Sequence, residues 1–120
     1  MSEAALALIR REGRYFLQRR ALSNPVMPGL WEFPGGKVEA AESPFDALRR
    51  ELREEVALDR IAATALPVLE GPVRLHPFLV EASGPPRTGL AWGWFTPEDM
   101  ARLPMPPANE ALVRSLAAGS

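Results

Sequence analysis

The chain has 120 residues, a formal net charge of −1 at neutral pH and no cysteine. That length suits a single domain over residues 1–120 with one hydrophobic core, and a charge near zero argues against nucleic acid or an anionic membrane as a partner. The absence of cysteine excludes disulfides, thiolate metal sites and a cysteine nucleophile.

The first element is the apolar run Ala4 to Arg10, which reads as a strand buried on both faces. It is too short for the apolar region of a secretion signal, and no other run is long enough to span a membrane, so a cytoplasmic location is expected. Glu12-Gly13 is a hairpin signal, and Tyr15 to Arg20 returns as a second strand. A loop from Ser23 to Gly29 follows. Trp31 and Phe33 alternate with Glu32 as in a strand, which Pro34-Gly35-Gly36 is expected to end in a glycine-rich loop.

A helix is then announced by Ser43 as N-cap, Pro44 at its first position and Asp46 three residues after the cap. Phe45, Leu48, Leu52 and Val56 form its apolar stripe. Strands are expected over Ala65 to Leu69, Arg74 to Glu81 and Gly89 to Phe95, a short helix over Met100 to Leu103, and a last helix over Asn109 to Ala117. Strands, helix, strands, helix point to an α/β (α+β) sandwich with a mixed sheet between helices.

Glu51, Glu54 and Glu55 are spaced i, i+3, i+4 and share one helical face. At 100° per residue that face is centred about 110° from the apolar stripe, so one side can pack while the other stays open. Like charges this close call for a positive partner, and a divalent cation with oxygen preferences is the natural one. The glycines before the helix allow close backbone approach, as a phosphate-bearing substrate would need.

The stretch resembles the signature of the Nudix hydrolases. Gly36, Glu42, Arg50-Glu51, Leu52, Glu54-Glu55 and Leu58 all fall at that family's spacing over 23 residues, with Ala57 where glycine is usual. The resemblance implies a Nudix-type sandwich and Mg²⁺-dependent hydrolysis of a diphosphate linkage, with Mn²⁺ as a possible substitute. It implies metal ligation by Glu51, Glu54, Glu55 and the Gly35 carbonyl. Glu51 would orient or deprotonate the attacking water, and Arg50 and Glu42 would position Glu51 and the loop.

Leu30-Trp31-Glu32-Phe33-Pro34-Gly35-Gly36-Lys37 and Pro106-Pro107-Ala108-Asn109-Glu110 are similar to runs of the family's MutT branch. Members of that branch hydrolyse 8-oxo-dGTP to the monophosphate and pyrophosphate, and their matching asparagine reads the oxidised base. Arg20, Phe33, Lys37, Phe78 and Asn109 are the substrate-binding candidates. Asn109 is also a natural N-cap of the last helix. The alternative substrates are ADP-ribose or diadenosine polyphosphates. The resemblance implies a small-molecule nucleotide substrate, no direct nucleic-acid binding, and a monomer or homodimer. The branch carries a metal-associated glutamate in its late strand; here Gly93 aligns with it, and Glu81 and Glu98 are the nearby alternatives.

Overall fold

The computed structural model describes residues 2–118. It holds a mixed seven-stranded sheet between helices, the α+β sandwich expected. Its centre is β1 (Ser2–Arg11), which runs parallel to β6 (Val73–Ala82) from Ser2↔Val73 to Ile9↔Val80. The β1–β2 turn places Glu12 and Gly13 at φ 53° and 77°, the two positive angles of a tight hairpin turn. Beyond the turn, β2 (Arg14–Arg19) stays with β1 for only two pairs, then leaves to pair with β3 (Trp31–Glu32) and β7 (Trp92–Phe95).

The vacated edge of β1 is filled by β4 (Gly35–Lys37), antiparallel, with Ala5 opposite Gly36. The glycine-rich stretch expected as a loop is therefore a strand. Gly35 explains why. A Cβ there would lie 2.1 Å from the Ala5 carbonyl oxygen, so only glycine lets the two backbones approach this closely.

α1 (Pro44–Val56) begins as its cap signals dictate, with Ser43 Oγ accepting from the Asp46 N–H at 3.1 Å. It ends at Ala57, which takes the left-handed conformation at φ 58° despite its Cβ, while the Leu58 N–H donates to the Leu52 carbonyl. Ala47, Leu48, Leu52 and Val56 are the buried face and pack on Ala5, Ala7, Ile9, Phe16, Phe78 and Val80. Phe45, expected in that stripe, is instead 38% exposed and only leans on Phe78.

The other face of the sheet packs Leu8, Tyr15, Leu17 and Phe33 against Met100, Leu112 and Val113 of α2 (Pro97–Met100) and α3 (Pro107–Ala118). β1 thus buries alternate residues on both sides, as its unbroken apolar run requires.

Several boundaries differ from expectation, and β7 begins at Trp92 rather than Gly89. β5 is Ile61–Ala65 rather than Ala65–Leu69, because its alanine-rich segment is held by pairing with β6, while Leu69 makes only an isolated bridge to Leu75. α2 starts one turn early, on the Thr96 cap. α3 starts at Pro107, two residues before Asn109, so Asn109 sits inside the helix and does not cap it. No helix among the described residues is long and apolar enough to cross a membrane.

Candidate active site

Arg50 is the hub of the acidic helix. Its Nε and one terminal nitrogen donate to the two oxygens of Glu42 at 2.8 and 3.0 Å. The same terminal nitrogen donates to the Lys37 carbonyl at 3.0 Å, and the other donates to Glu51 Oε1 at 2.9 Å. This fork joins the end of β4, the loop before α1 and α1 itself. Glu42 also accepts from the Glu39 N–H at 2.9 Å. The Arg50 contact first, then that N–H, holds the Glu42 carboxyl far below its usual range, at about 2. Arg50 is held correspondingly more firmly in its charged form, chiefly by Glu42.

Glu51 stands directly over β4. A Cβ at Gly36 would meet the Glu51 carboxyl carbon at 2.4 Å, so this glycine makes room for that carboxylate. Glu55 lies beside Glu51 and is more deeply set. Its Oε1 accepts from Gln18 Nε2 at 2.8 Å and its Oε2 from the Gly35 N–H at 3.1 Å. Burial, and then the charge of Glu51, push the Glu55 carboxyl up to about 7 against those two donors. Glu54 points to solvent, its side chain 60% exposed, 3.5 Å from Arg50. Among the described residues the carboxylates do not form a converged ion-holding cluster as placed.

Glu55 yields a prediction for the metal-free protein. Its folded value lies above the usual 4.5, so the stability it contributes is full below pH 4.5 and is lost as pH rises through about 7. Glu42 acts in a separate window, its contribution lost as pH falls from 4.5 toward 2. In EDTA, the melting midpoint should fall by several degrees between pH 5 and pH 8. Glu55→Gln should flatten that slope, which thermal denaturation at a series of pH values will read.

A cleft of about 930 Å³ runs beside β4. Arg20, Phe33, Gly35, Gly36, Lys37 and Asn109 line it, so four of the five substrate-binding candidates meet there beside the paired glycines. Asn109, 5% exposed, accepts the Phe33 N–H through Oδ1 at 2.9 Å. Its amide nitrogen makes no hydrogen bond among the described residues. Arg20 lies 3.1 Å from Glu32 across the cleft lining and donates to the Val26 carbonyl. Phe78 does not line the cleft. It is buried on the α1 side of the sheet, while its neighbours Leu75 and Leu79 face the other way. Leu75, Leu6 and Leu69 supply the apolar wall instead, a role hidden from the sequence because strand facing depends on register.

The register of β7 accounts for position 93. Gly93 pairs with Leu17, whereas Gln18, which reaches Glu55, pairs with Trp92. A side chain at 93 would enter the packing around Phe95, because its Cβ would lie 3.1 Å from two atoms of that ring. Trp92 and Trp94 flank Phe16 at 5.4 and 5.6 Å, a packing arrangement. Glu81 pairs with Arg10 and Glu98 with Arg102, both away from the acidic helix. His76 meets Glu3 at 2.7 Å.

Comparison with known proteins agrees with this geometry. The NUDIX domain family matches residues 2–116. The chain is 35% identical to the CTP pyrophosphohydrolase of Escherichia coli, over 98% of this chain and 93% of that one. It is 33% identical to the 8-oxo-dGTP diphosphatase of Haemophilus influenzae, over 95% and 90% of the two chains. A MutT structure from work on Aliivibrio salmonicida and Vibrio cholerae superposes with a TM-score of 0.85 at 29% identity, covering 99% and 98%. An acidic helix braced by an arginine fork, set over paired glycines beside a cleft, and matched along nearly its whole length, places this chain in the Nudix hydrolases as a MutT-like pyrophosphohydrolase.

Proposed function

We propose that the protein hydrolyses a nucleoside triphosphate to the monophosphate and pyrophosphate with Mg²⁺ or Mn²⁺, and that its preferred substrate carries an oxidised purine, as in 8-oxo-dGTP. The donor set suits a hard divalent ion: Glu51, Glu54, Glu55 and the Gly35 carbonyl are all oxygen ligands. Burial first, and then the charge of Glu51, raise Glu55, and a cation between the carboxylates offsets both. When bound, such an ion supplies charge neutralisation at the phosphates and an activated water.

The chain's own residues do the rest. Arg50 holds Glu51 by one oxygen, which orients that carboxylate toward a water. Lys37, exposed at the cleft margin, offers its ammonium to a phosphate. The stretch from Phe33 to Gly36 joins Asn109 to the acidic helix, a span of roughly 10 Å for extended backbone. A base held at Asn109 thereby leaves room for a sugar before the phosphates.

Asn109 carries the base assignment. Its free amide nitrogen is a donor, and its Oδ1 keeps one lone pair after accepting from Phe33. 8-Oxoguanine presents a matching acceptor and donor at O6 and N7–H, where guanine presents two acceptors. The relative named CTP pyrophosphohydrolase favours a second reading, because cytosine also offers a donor beside an acceptor. A panel of 8-oxo-dGTP, dGTP, CTP, dCTP, ADP-ribose and a diadenosine polyphosphate, with product analysis, decides between them. Pyrophosphate release with 8-oxo-dGTP turned over at least 100-fold better than dGTP is expected, on the order of what a buried hydrogen-bond mismatch costs. Equal turnover of the two removes the oxidised-purine reading, and AMP from ADP-ribose as the main product removes the triphosphate one.

A further inference from the structure

Gln18 and Asn109 are the buried polar side chains among the described residues. The cleft accounts for Asn109. Gln18, 2% exposed on β2, lies behind the acidic helix, and a buried amide has to spend its hydrogen bonds on something. Its Nε2 donates to Glu55 at 2.8 Å, and its Oε1 accepts from the Thr88 hydroxyl at 3.0 Å. Thr88 in turn accepts the Leu90 N–H at 3.2 Å, which leaves its own proton for Gln18. The polarity of the chain is thus set from a backbone N–H, through Thr88, to the amide face that Glu55 meets.

The loop that carries Thr88 is anchored. The Arg87 N–H donates to the Val56 carbonyl at the end of α1, and the Ala91 carbonyl accepts from the Arg19 N–H, each at 2.8 Å. Thr88 is half-buried between these two ties. The Gly35 N–H takes the second oxygen of Glu55, so each carboxylate oxygen has one fixed donor.

We propose that Thr88 and Gln18 act as positioning residues for Glu55, so that the loop before β7 enters the metal site through a neutral hydrogen-bond chain. This rests on the reading of Glu55 as a metal ligand. Without the Thr88 hydroxyl, the buried Gln18 Oε1 loses its donor, so the side chain shifts to find another and carries the amide that holds Glu55 out of place.

The test is Mn²⁺ binding without nucleotide, read by the loss of the free-ion electron paramagnetic resonance signal. Wild type, Glu55→Gln, Thr88→Val, Thr88→Ser and Gln18→Met are compared, each confirmed folded by its thermal transition. Thr88→Val, which keeps the volume and removes the donor, should weaken Mn²⁺ about tenfold, as loss of an outer-shell partner does. Gln18→Met should match it, and Thr88→Ser should restore affinity to within about twofold of wild type. Thr88→Val binding as wild type, or Thr88→Ser failing to rescue, overturns the proposal while Glu55→Gln still binds weakly. Glu55→Gln binding as tightly as wild type overturns the ligand reading itself, and the relay with it.

Discussion

Gly36→Ala should lower turnover by about 100-fold or more while the protein remains folded, whereas Gly35→Ala should destabilise the fold itself. The two glycines are adjacent on β4, yet what a methyl group would strike differs. At Gly36 the nearest atoms are the carboxyl carbon and oxygens of Glu51, at 2.4, 2.5 and 2.8 Å. These are the far end of a flexible side chain, so Glu51 swings aside and the sheet keeps its register. The displaced carboxylate breaks from Arg50, which holds it at 2.9 Å, and leaves its place over β4. At Gly35 the nearest atoms are the Ala5 carbonyl oxygen at 2.1 Å and the Leu6 Cα at 2.9 Å. Those are backbone atoms of the central strand and cannot yield. Destabilisation by about 3 kcal/mol or more is expected there. Steady-state kinetics and thermal denaturation on both variants separate the effects; Gly36→Ala with wild-type turnover would remove Glu51 from the chemistry.

The same pair of glycines shows where the sequence was legible and where it was not. The start of α1 and most of its buried stripe could be read, because caps and helical spacing are local and Ser43, Pro44 and Asp46 declare themselves within four residues; Phe45 alone was misplaced. The Arg50 fork was foreseen through the family resemblance, which paired Arg50 with Glu42 and Glu51. β4 was not foreseeable. Glycine has no strand preference, and Gly35–Lys37 pairs only because the edge of β1 is vacated by β2, an event decided elsewhere in the chain. Phe78 failed for a related reason. Its strand was identified, but which face it occupies follows from pairing with β1, and a shift of one residue reverses the answer. Gln18 stood in a run similar to the family's MutT branch, Gln18-Arg19-Arg20-Ala21, but no role could be read for it. Its importance lies in contacts with Glu55 and Thr88, 37 and 70 positions away.

Asn109 was recognised for its side chain, but its structural duty was misjudged, and that correction defines the sharpest test of specificity. As an N-cap it would have served the helix; inside α3 it serves Phe33, by accepting a buried N–H at 2.9 Å. Asn109→Ala therefore confounds two losses. It strips the amide proposed to read the base and also orphans the Phe33 N–H, which costs about 1–3 kcal/mol. Asn109→Asp separates them. One carboxylate oxygen still accepts from Phe33, so the β3–α3 link persists. The other replaces an N–H donor by an acceptor, which faces the O6 acceptor of 8-oxoguanine and repels it. Because guanine carries the same O6, kcat/KM should fall for both 8-oxo-dGTP and dGTP, by about 100-fold or more for the oxidised substrate, the scale on which mismatched buried hydrogen bonds discriminate. If Asn109→Asp melts near wild type and keeps the wild-type kcat/KM for 8-oxo-dGTP, the amide supports the fold alone and the base is read by other residues of the cleft.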